Sequence, residues 1–164
     1  MLFAVALIVL PPATLSSATA SQREINSSAV GPETQSVAGA DAAPAGAFAT
    51  FTVVDWASLL RQTNDLDFYE GKPVDVVGFI TADPDDPQNV FYVSRFVVTC
   101  CAVDAQPAGI PVYLANWTDS YQLDQWVQVS GEFGANPSRS STQSIALTPD
   151  SVIEVEQPSE PYLY

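Results

Sequence analysis

Residues 74–99 read VDVVGFITADPDDPQNVFYVSRFVVT, and the fold follows from this stretch. Its two ends, 74–80 and 91–99, are rich in β-branched and aromatic residues, whereas 83–87 is Asp-Pro-Asp-Asp-Pro. This pattern predicts two strands joined by a turn. Gly78 interrupts the first strand, and an isolated glycine within a strand indicates a bulge or a sharp bend.

Similar short strands recur towards the C-terminus, after a turn predicted at 106–109. In the clearest of them, Val127, Val129 and Phe133 share one face. The predicted strands are 110–114, 126–133, 144–147 and 152–155. Five or so short strands at regular spacing predict an all-β domain over residues 50–164, folded as a small OB-like barrel. A sandwich of similar strands is the alternative.

One peripheral helix is predicted before the first strand. Apolar residues recur three and four positions apart through Trp56, Leu59 and Leu60 towards Leu66, which is the period of one helix face. Asp55 stands where a helix N-cap is expected. The sequence therefore predicts a helix that is capped by Asp55.

The N-terminal segment, residues 1–20, is predicted to be a signal peptide or a membrane anchor. Residues 1–10 are all apolar, but a membrane span needs about twenty such residues. Ala18-Thr19-Ala20 before Ser21 is typical of a signal-peptidase site, although no Lys or Arg precedes the apolar run. Both interpretations deliver the chain to a membrane, and both stay open.

Residues 21–49 are predicted to form a flexible linker. They are rich in Ser, Ala, Gly and Pro, and they show no hydrophobic period. Such a segment buries too little apolar surface to offset the entropy that it loses on ordering.

The charge of the chain narrows the range of its partners. Lys and Arg number 5 and Asp and Glu number 19, so the formal net charge is −14. This surface repels phosphate backbones, and we therefore expect no nucleic-acid partner.

The chain holds no histidine, which excludes a Ser-His-Asp triad, a Cys-His dyad and a His-ligated zinc site within it. Nothing in the composition indicates an enzyme.

The segment 95–105, RFVVTCCAVDA, resembles the Arg-Phe-aliphatic-aliphatic-Thr-Cys-Cys-x-x-Asp-Ala stretch of the YcgQ-like family of bacterial permease subunits. Weaker similarities lie at Gly71-Lys72, in WVQVSG at 126–131 and in PYLY at 161–164. The resemblance implies a membrane-attached accessory subunit whose partner is a multi-spanning permease.

The adjacent Cys100 and Cys101 are the candidate functional residues, and three interpretations stay open. The first is packing, since free Cys is among the most buried residue types. The second is capture of a soft ion such as zinc or monovalent copper, with Asp104 as a further ligand. The third is a redox switch, in which Arg95 lowers the pKa of a thiol. A disulfide between the two would be strained, because adjacent α-carbons lie about 3.8 Å apart.

Together these features predict a non-catalytic accessory subunit of a membrane permease, for which metal capture by the two cysteines is one candidate task. A thiol-dependent redox protein is the alternative. We expect the chain at the cell membrane with its soluble domain outside the cytoplasm, as the signal-peptidase site indicates. Arg23, shortly after the apolar run, weighs weakly for the cytoplasmic side.

Overall fold

The computed structural model describes residues 15–26, 35–100 and 104–164. The apolar run at 1–10 and Cys101 lie outside the described residues, and so do the predictions made on them. Within these three ranges, no helix has both the length and the apolar character that crossing a membrane requires.

The described residues are mostly β, with six strands in one sheet and a few helices. The strands are β1 Val74–Ala82, β2 Val90–Val97, β3 Gln106–Tyr113, β4 Trp126–Ala135, β5 Ile145–Glu154 and β6 Tyr162–Leu163. The α-helices are α1 Ser17–Ser21, α2 Val37–Asp41, α3 Val53–Gln62 and α4 Leu66–Tyr69, with 3-10 turns at Ala45–Thr50 and Trp117–Asp119. The prediction of a mostly β domain is confirmed, and the prediction of a single helix is wrong.

The pairing of the strands runs in a ring. β1 pairs antiparallel with β2, β2 with β3, β4 with β5 and β1 with β4. β3 and β5 complete the ring through a parallel pairing of Val112 with Leu147. Each of the first five strands therefore has two neighbours in this ring, and β6 adds a short parallel pairing to β2.

The predicted turn at 106–109 is wrong, because these residues belong to β3, where Gly109 pairs with Ser94 on β2. The pairing of β3 with β5 begins only at Val112. The first half of β3 therefore has an edge that no other described strand covers, and an edge tolerates Pro107.

Gly78 lies where β1 changes partner. The first part of β1 pairs with β4 as far as Phe79, and from Phe79 onwards β1 pairs with β2. Gly78 pairs in register with Val127, and the register shift of the sheet lies at Ser130/Gly131 instead. A Cβ at Gly78 would come within 2.6 Å of the Ser94 carbonyl oxygen. The glycine therefore permits a close approach of two backbones and does not mark a bulge.

The helix before the sheet begins earlier than the sequence predicts. Thr52 is the N-cap of α3, and its hydroxyl accepts a hydrogen bond from the Asp55 N–H at 3.3 Å. The Asp55 carboxylate accepts one in return from the Thr52 N–H at 2.8 Å. This is a capping box, so Asp55 occupies the third helical position and not the cap. The helix buries Trp56 and Leu59 in the core.

Part of the predicted linker is packed against the domain. α2 and the 3-10 turn at Ala45–Thr50 lie within it or at its end. Phe48 is buried, with its ring centroid 5.3 Å from that of Phe51 and 6.0 Å from that of Trp56. The core therefore extends at least to Phe48, because this aromatic side chain completes a cluster over α3.

We expect Phe48→Ala to lower the free energy of unfolding by about 3 kcal/mol, since a buried aromatic ring is lost from a packed cluster. Gly46→Ala is the matched control, because a Cβ at Gly46 meets nothing within 4 Å. Urea denaturation of both variants measures the effect. An unchanged midpoint for Phe48→Ala would contradict the contribution of Phe48 to the core.

Candidate functional site

The loop between β2 and β3 carries the predicted cysteine site. β2 ends at Val97, and the chain bends at Cys100, whose side chain is exposed. The Cys100 N–H donates a hydrogen bond to Asp104 Oδ2 at 3.0 Å. The strand therefore ends before Cys100.

The structure places the Asp104 carboxylate on the Cys100 backbone N–H, while Cys101 lies outside the described residues. Over the described part of the chain, no group of three His, Cys, Asp or Glu side chains is arranged to hold a metal ion. The assignment of Cys100, Cys101 and Asp104 as metal ligands therefore stays a prediction.

Arg95 lies on β2 with a side chain that is only 9% exposed. Its Nε donates to the Pro161 carbonyl oxygen at 3.1 Å, and its Nη2 donates to that of Glu160 at 2.7 Å. Nη1 donates to the Val77 carbonyl oxygen of β1 at 3.3 Å. The guanidinium therefore ties the C-terminal tail to the first strand.

The surroundings of Arg95 are neutral acceptors and an aromatic ring. Its Cζ lies 5.3 Å from the centroid of the Trp126 ring, within cation–π range. Burial lowers the pKa of the guanidinium from its usual value. The predicted action of Arg95 on a cysteine thiol stays a prediction, and the contacts seen here describe a brace for the tail.

The C-terminal tail fills the gap beside β2 that opens where β1 stops pairing with it. β1 pairs with β2 up to Ser94, and beyond it β6 takes the adjacent place, with Phe96 opposite Tyr162. The Val98 N–H adds a hydrogen bond to the Leu163 carbonyl oxygen at 2.8 Å. Sequence reasoning missed this role, although an arginine within an apolar strand was a signal for it.

Three carboxylates of the β1–β2 turn hold the β4–β5 loop. The hydroxyl groups of Ser138, Ser141 and Thr142 donate to them at 2.6, 2.7 and 2.9 Å. The acceptors are Asp86, Asp83 and Asp85, in that order. The sequence predicted a turn here but gave no sign of its partner loop, since the residues of each pair lie more than fifty positions apart.

Tyr92 lies next to the aspartates that hold the β4–β5 loop. Burial, followed by the charges of Asp83 and Asp85, raises the pKa of its phenol above the usual range. The phenol therefore stays neutral at physiological pH.

Residues 48–164 match the family described as the DUF1980 C-terminal domain. The chain belongs to this family. It is also 28% identical, over 99 residues, to a protein of Streptococcus mutans serotype c named "Putative two-component membrane permease complex subunit". The match covers 60% of this chain and 35% of that relative. The chain thus spans about a third of the length of this relative.

Two solved structures align with about half of the chain. OBody AM2EP06 bound to hen egg-white lysozyme has a TM-score of 0.32 at 18% identity, and covers 52% of this chain and 82% of its own. OBody AM3L09 bound to the same lysozyme has a TM-score of 0.34 at 20% identity, and covers 55% and 87%. These scores are too low to support an argument. The similarity to the YcgQ-like family and its Cys-Cys motif stays a prediction.

We expect Arg95→Met to lower the free energy of unfolding by roughly 2 kcal/mol, because three carbonyl groups lose their donor. The loss should be concentrated in the tail, where amide hydrogen exchange of Tyr162 and Leu163 should become faster. Arg139→Met, at an exposed position of the β4–β5 loop, should change neither quantity. Equal protection of the tail in both variants would contradict the role of Arg95 as its brace.

Proposed function

We propose that this chain is a non-catalytic accessory subunit of a membrane permease complex and that its partner is a multi-spanning permease. The observation that carries the proposal is the name of the Streptococcus mutans relative, a membrane permease complex subunit. We assign this role to residues 48–164, which match the DUF1980 C-terminal domain.

We further propose that the sheet closes as an OB-like barrel. The ring of strand pairings, in which β1 joins both β2 and β4, supports this closure. A closed ring leaves few unpaired strand edges. A partner protein would therefore contact the loops and outer faces of the domain, which suits an accessory subunit that positions other components.

Attachment to the cell membrane is part of this proposal and rests on the apolar run at residues 1–10. An extracytoplasmic location of the soluble domain rests on the sequence alone and follows only if the small residues after that run act as a signal-peptidase site.

Co-expression of the full chain with a multi-spanning permease from a neighbouring gene tests the proposal. We expect the two proteins to elute together in mild detergent when either one carries the affinity tag. Gly131→Val should abolish the complex if the folded domain is needed, because a Cβ at Gly131 would meet the Thr148 carbonyl oxygen at 2.2 Å. Gly46→Ala, which meets nothing within 4 Å, is the permissive control. Separate elution of the unaltered chain and the permease would count against the proposal.

A soft metal site at Cys100, Cys101 and Asp104 is a second proposal within the first. It is favoured by the exposure of Cys100 and by the hydrogen bond that holds the Asp104 carboxylate beside the Cys100 backbone. Zinc and monovalent copper are the ions that two thiolates select.

Calorimetric titration of the reduced domain with zinc or monovalent copper checks this site. We expect binding by the unaltered chain, loss of binding in Cys100→Ser and in Cys101→Ser, and no loss in Asp150→Asn, which alters an exposed carboxylate elsewhere. A thiol count that cycles with reductant, without any metal binding, would favour the thiol-dependent redox protein instead.

A further inference from the structure

The segment that follows the apolar run is bound to the domain, and we name residues 15–26 the N-terminal strap. At its start, the N–H and the hydroxyl of Ser17 both donate to the carboxylate of Asp124. In its middle, Ala20 is fully buried in a cluster with Phe79 and Phe96. The helix α1 is therefore part of the packed structure.

The end of the strap covers the edge of β3 that no strand covers. The Asn26 side chain donates from Nδ2 to the Gly109 carbonyl oxygen at 2.9 Å and accepts from the Gly109 N–H at 2.9 Å. The Asn26 N–H donates to the Pro107 carbonyl oxygen at 3.0 Å. The side-chain amide thus satisfies both backbone groups of Gly109, as a neighbouring strand would.

These contacts bear on the two interpretations of the N-terminal segment. The predicted cleavage between Ala20 and Ser21 falls inside α1. Cleavage there would remove the residues that bury Phe79 and Phe96 and would break the bonds of Ser17 to Asp124. The packing of the strap therefore favours a retained anchor over a cleaved signal peptide.

The strap starts at an aromatic face on the outside of the sheet. Trp126 and Tyr162, both partly exposed, form this face, which we name the outer aromatic face. They lie over Phe79 and Phe96, which are buried at 4% and 1% exposure, and together with Leu15 these four side chains line a cavity of about 330 Å³. The rings of Phe79 and Phe96 are stacked at 5.3 Å, and that of Trp126 lies 5.7 Å from Phe79.

The position of this face relative to the apolar run is limited by chain length. Five α-carbon steps separate residue 10 from Leu15, and they span at most about 18 Å when fully extended. A compact domain of this size is about 35 Å across. The strap fixes Leu15 to the domain, so the apolar run cannot reach a membrane that touches the far side of the domain.

We propose that the outer aromatic face lies against the lipid bilayer and forms the membrane-facing side of the domain. The inference rests on the membrane attachment proposed above. Trp and Tyr are the side chains enriched where a membrane meets water, and this face presents Trp126 and Tyr162, with the highly exposed Tyr164 two residues further along. The net charge of −14 repels anionic lipids. We therefore expect the face to lie against zwitterionic lipid, held there by the apolar run and the strap.

Fluorescence quenching in vesicles tests this orientation with the full chain. The vesicles are phosphatidylcholine, with a fraction of the lipid brominated near the glycerol end of its acyl chains. Trp56 and Trp117 are 0% and 2% exposed and provide a baseline inside the domain. We expect quenching in the unaltered chain, and loss of most of that quenching in Trp126→Phe.

Ser140→Trp, in the otherwise unaltered chain, adds a reporter at the other end of the domain. β4 runs from Trp126 to Ala135, which separates the two ends by roughly 30 Å at the rise of a strand, and Ser140 is exposed in the loop beyond. The added emission should not be quenched. This variant keeps the test valid if Trp126→Phe fails to fold.

Flotation of the vesicles separates the two proposals. A chain that floats, with Ser140→Trp quenched or with equal quenching in Trp126→Phe and the unaltered chain, retains its membrane attachment and overturns the orientation. A chain that does not float overturns the membrane attachment and the orientation together. A chain that floats and shows the expected pattern supports both.

Discussion

A side chain at position 78 would collide with the backbone of β2, and the arrangement of the sheet depends on its absence. The Cβ of any other residue would stand 2.6 Å from the Ser94 carbonyl oxygen and 2.8 Å from a Val93 methyl group. With glycine there, β1 runs close to β2 in its second half and pairs with β4 in its first half. β1 thereby pairs with both β2 and β4, and this double pairing completes the ring of strands.

The change of partner along β1 also makes room for β6, Arg95 and the outer aromatic face on the outer side of the sheet. Where β1 turns away from β2, a gap opens beside Phe96, and the short β6 fills it. Arg95 stabilises this arrangement by donating to carbonyl groups on β1 and on the tail, Val77 and Glu160 among them. Its burial without a carboxylate partner among the described residues is tolerated because each donating nitrogen has an oxygen acceptor. The outer aromatic face lies beside Arg95. Trp126, which belongs to this face, contacts both the Arg95 guanidinium and the Phe79 ring.

The candidate cysteine site shows how far local reasoning reaches. The sequence identified Cys100 and Asp104, four residues apart, and the structure records a hydrogen bond from the Cys100 backbone N–H to the Asp104 carboxylate, while their role as ligands stays a prediction. The role of Arg95 was not predictable in the same way. The sequence linked it to a thiol five residues away, whereas its partner Glu160 lies 65 residues along the chain. Patterns of residue type show which positions are buried, but they do not show which distant segment covers them.

The sequence by itself determined the mostly β character, the position of most strands, the acidic charge and the apolar N-terminal run. These properties depend on residue type and on short-range periodicity, which act within a few positions. The tertiary structure decided that Asn26 of the strap bonds to the edge of β3, that Pro107 and Gly109 lie in a strand, and that three aspartates hold a loop more than fifty residues away. Each of these depends on contacts between segments that are remote in sequence, and such contacts form only when the ring of strands brings those segments together.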